Sequence, residues 1–225
     1  MPEPVPIDFE QPVPLFPLQH CVMLPHATVP LHIFEPRYRA MTRDAVAGRG
    51  LIAMATFEGQ QWKTQYEGKP PIRPCVCVGY LLRHEKLADG RFNILLQGLC
   101  RAKVLREPAH DPYRVGLLKP IESIAPLEID LDEYRAKVEA LLADPVLSQL
   151  DGVQAINNWI SREIPTAALI DLAVMTCCPD PEDRYAMLAE SDAIGRAQFL
   201  CRHLRHERAR LTGDDLPDDD APGWN

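Results

Sequence analysis

Apolar and polar residues recur with a period of two over the first half of the chain and of about 3.6 over the second, which predicts strands followed by helices. Leu51 to Phe57 is apolar on both faces, as in a strand covered from two sides. Gln61 to Tyr66 sets Trp62, Thr64 and Tyr66 against Lys63 and Gln65, as in a strand with one wet face, and Gly59-Gln60 reads as a hairpin link to it. Cys75 to Arg83 forms another strand; Phe92, Ile94 and Leu96 mark its neighbour, with Asp89-Gly90 as the turn. Leu99 to Leu105 places Cys100, Ala102 and Val104 opposite Arg101 and Lys103, and Tyr113, Val115 and Leu117 alternate until Lys119-Pro120. Six or seven short strands with one helix among them predict a small, partly closed barrel rather than alternating strand–helix units.

The helix follows the most unusual stretch, residues 13–39. Pro14, Pro17, Pro25, Pro30 and Pro36 interrupt a run of Val, Leu, Ile, Met and Phe, so the composition is that of strands broken where a helix could not survive. The expectation is edge strand, bulge and turn, a proline-punctuated strand pair. At its end Glu35 precedes Pro36, which suits the first turn of a helix; Tyr38, Met41, Ala45 and Val46 follow at helical spacing, and Gly48 stops the run.

From about residue 126 the pattern is helical. Tyr134, Val138, Leu141 and Leu142 form one stripe, opened by Asp130 and Glu133 in capping-box spacing; Val153, Ile156, Trp159, Ile160 and Ile164 form a second, ended at Pro165. Ala167 to Cys177, behind Thr166, is apolar nearly all round and is expected at the centre of a bundle. Asp180-Pro181-Glu182-Asp183 opens a further helix. The last, about Asp192 to Leu211, carries Ile194, Ala197, Leu200, Cys201 and Leu204 on one face, with Phe199 opposite as a second packing contact or an exposed binding anchor. The boundaries expected are a disordered start at 1–12, a β domain at 13–122, a helical bundle at 126–211 and an acidic disordered tail at 212–225.

Composition changes this picture little. Hydrophobic residues make up 46% and charged residues 25% of 225, ordinary for a globular protein. Of the net charge of −8, five units come from Asp214, Asp215, Asp218, Asp219 and Asp220, so the body is near neutral and lacks the footprint of a nucleic-acid binder. Met1 to Pro12 has no basic or apolar region of a signal peptide, and the longest apolar window, Ala167 to Cys178, contains Asp171 and is too short for a bilayer. The expected localisation is cytoplasmic, with no membrane partner. Seven scattered cysteines fit free, mostly buried thiols.

The stretch "PLFPLQHCVMLPHATVPLHIFEPRYRAM" closely resembles the opening of the N-terminal, substrate-binding domain of the Lon protease family, where proline-rich strands end in a Phe-Glu-Pro-Arg-Tyr-like turn. The resemblance continues through Val78 to Leu105 and, more loosely, Leu169 to Glu207. It implies an α+β fold, a PUA-like β-barrel followed by an α-helical bundle. It also implies non-catalytic binding of unfolded or degradation-tagged polypeptides, as an adaptor for a full-length ATP-dependent protease or a competitor that withholds substrates from it. The family's ATPase and protease modules are not represented in these residues, so a stand-alone form is expected. No G-x-x-x-x-G-K-[ST] occurs, the nearest fragment being Glu67-Gly68-Lys69-Pro70, and Ser123, Ser148, Ser161 and Ser191 lie in no G-x-S-x-G elbow.

A peptide is expected around Val22 to Phe34, with Val22, Leu24, Leu31, Ile33 and Phe34 as contacts, and at the cleft with the helices; an edge strand leaves backbone groups for an extended chain. Glu35, Pro36, Arg37 and Tyr38 read as a structural corner, since a catalytic Glu35 would need a second titrating partner. Cys75 and Cys77 share a strand face without a second cysteine pair, and His203 and His206 lack a third ligand, so neither predicts a metal site; no cofactor is expected. Cys177-Cys178 ends a helix, where a thiolate is disfavoured. The alternative function is nucleic-acid binding through Arg202, Arg205, Arg208 and Arg210, against which stand the acidic balance and the lack of interleaved aromatics.

Overall fold

The computed structural model describes residues 6–66, 68–122, 127–157 and 164–214. They belong to two compact units, Met1–Glu122 and Ser123–Asn225.

The first unit contains, among the described residues, strands β1 (Val13–Leu18), β2 (Thr28–Ile33), β3 (Leu51–Thr56), β4 (Cys75–Lys86), β5 (Phe92–Arg106) and β6 (Arg114–Pro120), with helices α1 (Pro36–Ala47) and α2 (Trp62–Gln65). The sheet order is β2-β5-β4-β3-β1-β6, and an additional β5–β6 pairing closes all but β2 into a ring. This is the PUA-like barrel expected. Alternate residues point inward, so Val13, Leu15, Leu51, Ala53, Ala55, Val76, Val78, Ala102 and Leu118 fill its interior. The outward residues Ile52 and Met54 of β3 are buried as well, as the two-faced apolar run predicts. Helix α1 lies against β1, β2 and β4, its Tyr38 ring 4.5 Å from that of Phe16. It buries Tyr38, Met41, Thr42 and Ala45, whereas Val46, expected on that stripe, is exposed.

Four sequence expectations are corrected here. First, β1 and β2 do not pair with each other, and β1 is no edge: it runs parallel to β3 and antiparallel to β6. Its prolines survive because Pro14 lies where only β6 pairs and Pro17 where only β3 does, so each has a side that needs no donor. Second, the strands expected at Phe92 and at Leu99 are one 15-residue strand, β5, whose first half serves β2 and β4 and whose second half serves β4 and β6. Third, Gln61 to Tyr66 is a turn of helix, not a strand, and Phe57 bridges to Ile72 instead of forming the Gly59-Gln60 hairpin. Trp62 and Tyr66 are also four apart, so a single helical turn presents both rings to Phe57, with centroids 6.0 Å away in each case. Fourth, Asp130 does not open the helix at Glu128 as a cap. It sits at the third position, its carboxylate accepting from Leu127 N at 3.0 Å, while Glu133 pairs with Lys137.

The second unit contains α3 (Glu128–Leu142), a short 3-10 turn (Leu147–Gln149), α4 (Asp151–Asn157), α5 (Thr166–Cys177), α6 (Pro181–Ala189) and α7 (Ala193–Thr212). Helix α5 is central, touching α3, α4, α6 and α7, and it buries Ala168, Leu169, Ile170, Asp171, Ala173 and Val174. Glu128 of α3 accepts from Thr166 N at 2.9 Å and Thr166 Oγ1 at 2.7 Å, which ties the two helix starts together. Asp180 caps α6 and Asp192 caps α7 through side-chain oxygens, as their residue types predict. Phe199 is a packing residue, buried and stacked at 6.1 Å on His203. Trp159 and Ile160 fall in 158–163, and most of the acidic tail in 215–225, outside the described residues.

Candidate polypeptide-binding edge

Outside the barrel ring, β2 pairs among the described residues with β5 alone, Thr28 to Ile33 facing Gln97 to Phe92. Its entry is a bulge. His26 adopts φ 68° and donates its N–H to Gly98 O at 2.8 Å, while Gly98 N–H returns a bond to Ala27 O at 2.8 Å, so two residues oppose one. That fixes the direction of every later backbone group, because an antiparallel ladder repeats every second residue. Val29, Leu31 and Ile33 share the parity of Ala27 and turn their N–H and C=O groups to β5. Thr28, Pro30 and His32 turn theirs to the open side. Pro30 therefore costs the ladder no hydrogen bond, which is why a proline stands in mid-strand.

Side chains divide by the same parity. Thr28, Pro30 and His32 are exposed, and across the sheet they meet Gln97, Leu95 and Asn93, then Tyr80, Arg83 and Glu85 of β4. His32 Nδ1 lies 2.8 Å from Asn93 Oδ1, and Asn93 donates to Glu85 at 3.2 Å, so one row is joined across three strands. Phe34 continues this face just beyond the strand, 60% exposed, its ring 6.3 Å from that of His32.

Four of the five expected peptide contacts do not present their side chains on this surface. Val22, Leu24 and Ile33 are buried at 2%, 0% and 1% exposure, and Leu31 is half-buried on the inward parity. Apolar type marked them in the sequence, but the same type marks a core residue. Phe34 alone of the five presents its side chain there, and Pro30, His32 and Leu95, which are not among the expected contacts, share its face. The period-two alternation after His26 is the signal that could have found them.

The motif corner is a polar knot at the start of α1. Glu35 Oε2 accepts from Arg37 Nε at 3.1 Å and lies 3.0 Å from its Nη2; Glu35 Oε1 accepts from the Tyr66 hydroxyl at 2.7 Å. Arg37 Nη1 donates to Tyr66 O at 3.1 Å, and the guanidinium stands 4.7 Å from the Tyr38 ring centre and 4.6 Å from that of Tyr66. Burial, then the bond to Glu35, raises the Tyr66 hydroxyl pKa and keeps it a donor. Beside the knot is a cleft of about 520 Å³, lined by Lys69, Asp111, Pro112, Tyr113 and Arg114 as well. Tyr113 donates to Asp44 at 2.8 Å, and burial with that carboxylate pushes its pKa up to about 12. Arg114 is spent on Glu107, by two bonds of 2.6 Å, and on Pro70 O. The groups are partnered to one another rather than poised for proton transfer. Replacing Glu35 by Ala strands the half-buried Arg37, with an expected loss of about 1–3 kcal/mol in denaturant unfolding; a loss below about 0.5 kcal/mol would show that the knot holds nothing.

Elsewhere, the Cys177 and Cys178 thiols are pushed up by burial, the reverse of nucleophile activation. Among the described residues no group of three His, Cys, Asp or Glu is placed to hold a metal ion. His203 Nε2 lies 3.2 Å from Cys177 O. In the basic helix Arg208 pairs with Asp144 and Arg210 with Glu207. No described helix is long and apolar enough to cross a membrane.

A PUA-like barrel with an open-edged strand makes up one unit and a set of helices the other, which defines the fold class. The family described as the ATP-dependent protease La (LON) substrate-binding domain matches residues 12–206, and the chain belongs to it. The Lon protease of Desulfosudis oleivorans is 22% identical over 203 residues, 87% of this chain and 24% of that protein. That of Flavobacterium johnsoniae is 25% identical over 202 residues, 88% and 24% respectively. The chain thus spans about a quarter of the length of the curated relatives it matches. Among solved structures, the Lon N-terminal domain protein from Xanthomonas campestris superposes with a TM-score of 0.59 at 22% identity, covering 84% of this chain and 96% of that one. The N-terminal domain of the Mycobacterium avium complex Lon protease gives 0.65 at 16% identity, covering 87% and 98%. Both share the fold.

Proposed function

We propose that this chain recognises polypeptides, taking up extended segments of unfolded or degradation-tagged proteins on β2 and the face that continues into Phe34. Membership of the Lon substrate-binding family supports polypeptide recognition in general. The observation that carries the site is an apolar ring, Phe34, exposed at the end of a strand whose outer backbone groups have no partner strand among the described residues. Main-chain groups of an edge give affinity without demanding a sequence, while a neighbouring aromatic adds apolar contact. Substrates that have nothing in common but lost structure are suited to this mode.

The test is fluorescence anisotropy with labelled, reduced and carboxymethylated α-lactalbumin, alongside a labelled single-stranded RNA at physiological salt. Saturable binding of the polypeptide and none of the RNA is expected. Phe34→Asp should weaken polypeptide binding about tenfold or more, the loss of one well-exposed aromatic anchor, with no change in melting temperature. Unchanged affinity in a folded Phe34→Asp protein would move the site elsewhere, and salt-sensitive RNA binding alone would replace the function. In cooperation with a full-length ATP-dependent protease, an adaptor accelerates degradation of the bound chain and a competitor slows it.

A further inference from the structure

We infer that the open side of β2 is built to accept an extended strand from a different polypeptide and that Pro30 keeps a second copy of this chain off it. The inference deepens the recognition reading above and rests on it. The open side offers the N–H groups of Thr28 and His32 and the C=O groups of Thr28, Pro30 and His32, two donors and three acceptors. All three residues are exposed at their side chains, and among the described residues β2 is the last strand of the sheet on that side.

This pattern discriminates between occupants. A second copy would dock about a two-fold axis, with β2 antiparallel to its own image, and symmetry makes every defect occur twice. Pairing Thr28 with His32 puts Pro30 opposite Pro30, a central pair with no donor on either strand. Sliding the register by two residues pairs each Pro30 with Thr28 or His32 of the other copy, and again two hydrogen bonds are missing. A foreign strand without proline loses one. The edge is therefore blunted against self-association while it remains usable by another chain. The same geometry states what the foreign segment must supply. It needs N–H groups at alternate positions, facing the carbonyls of Thr28, Pro30 and His32, and the side chain that passes the strand end meets Phe34.

The experiment is an N-methyl scan. Overlapping fluorescein-labelled peptides cut from α-lactalbumin are titrated against the wild-type protein, and the tightest is resynthesised with one backbone N–H methylated at a time. Methylation at alternate positions should weaken binding about three- to tenfold, the value of one main-chain hydrogen bond, and methylation in between should leave it unchanged. In parallel, Pro30→Ala restores the missing donor; it should tighten the peptide by a similar factor and give concentration-dependent dimers in sedimentation analysis. Equal losses at both parities would overturn the strand-addition geometry while leaving polypeptide recognition intact. A folded Pro30→Ala protein that stays monomeric at every concentration would overturn the role of Pro30. If no unmethylated peptide binds, the recognition reading and this inference fall together. The scan uses the unaltered protein, so it decides the geometry even where the variant does not fold.

Discussion

Asp171→Ala is expected to destabilise the helical unit by about 3–5 kcal/mol, a large part of the roughly 5–15 kcal/mol that holds a domain folded. Asp171 of α5 and Arg196 of α7 are 1% and 1% exposed, and Arg196 Nε lies 3.1 Å from Asp171 Oδ1. The same guanidinium donates from Nη1 to the carbonyls of Glu190 at 3.0 Å and Ser191 at 3.2 Å, so it also anchors the turn that leads into α7. Removing the carboxylate leaves a buried cation without its counter-charge, and the cost is that of the uncompensated charge rather than of the lost attraction. Replacing both residues by Leu and Met removes the charge problem and should recover part of the stability, although the two carbonyls then lose their donor. Hydrogen exchange followed by mass spectrometry checks the prediction. Residues 164–214 should lose protection while the barrel keeps it, and a variant with wild-type exchange in α5 and α7 would contradict it.

Much of this architecture was legible in the residues, for a reason that also explains the errors. Long elements carry many repeats of their period: α5 and α7 are 12 and 20 residues, and their faces declare themselves. Helix starts were legible where the cap is a side chain, as at Asp180 and Asp192. The six residues Gln61 to Tyr66 carry too little period to separate a strand from a helical turn, since Trp62 and Tyr66, four apart, satisfy both spacings. Pro14 and Pro17 argued for an edge because proline removes a donor, but the argument assumes partners along the whole of both sides. In the closed barrel β1 changes partner midway, and each proline sits opposite the gap. Asp171 was visible as a polar residue in an apolar run, yet its partner, Arg196, is 25 positions later and looks like any other basic residue of α7.

For the site, the sequence gives the neighbourhood and hides the orientation. The motif corner was read as structural from two charges around a proline, and the Glu35–Arg37 pair has that form. Its third member, Tyr66, comes from a segment whose helical turn was not foreseen. Around β2, hydrophobic type pointed to Val22, Leu24 and Ile33, which are core. Which parity of Thr28 to Ile33 faces out depends on the two-against-one bulge at His26, Ala27 and Gly98. A bulge shifts the phase of everything after it by one residue, so no alternation counted from β1 could carry through it.

That bulge makes Gly98 the position where the barrel and the open-edged strand β2 are joined. A Cβ on Gly98 would overlap the backbone carbonyl of Leu24 and stand 3.1 Å from Cys77 Sγ. The obstacle is main chain, which cannot swing aside as a side chain does. At Gly116, by comparison, a Cβ meets methyl groups of Leu15 and Leu118 from 3.1 Å outward, and those can turn. Gly98→Ala should therefore push the Leu24 to His26 segment off β5 and strain both bulge hydrogen bonds, with an expected cost of about 2–4 kcal/mol from overpacking and the weakened pairs. The larger consequence is functional. With the bulge lost, the phase of Thr28 to Ile33 against β5 is no longer fixed, Pro30 can be forced to face β5 with no N–H to give, and the three outward carbonyls lose their common side. Polypeptide affinity should fall tenfold or more, and the amides of Val29, Leu31 and Ile33 should exchange faster, while those of the β1–β3 pairing stay protected. Gly116→Ala should leave both readouts near wild type. Retained protection of Val29 and Leu31 in Gly98→Ala would mean that β2 is held by its contacts with α1 rather than by the bulge, and that the edge owes its direction to the helix.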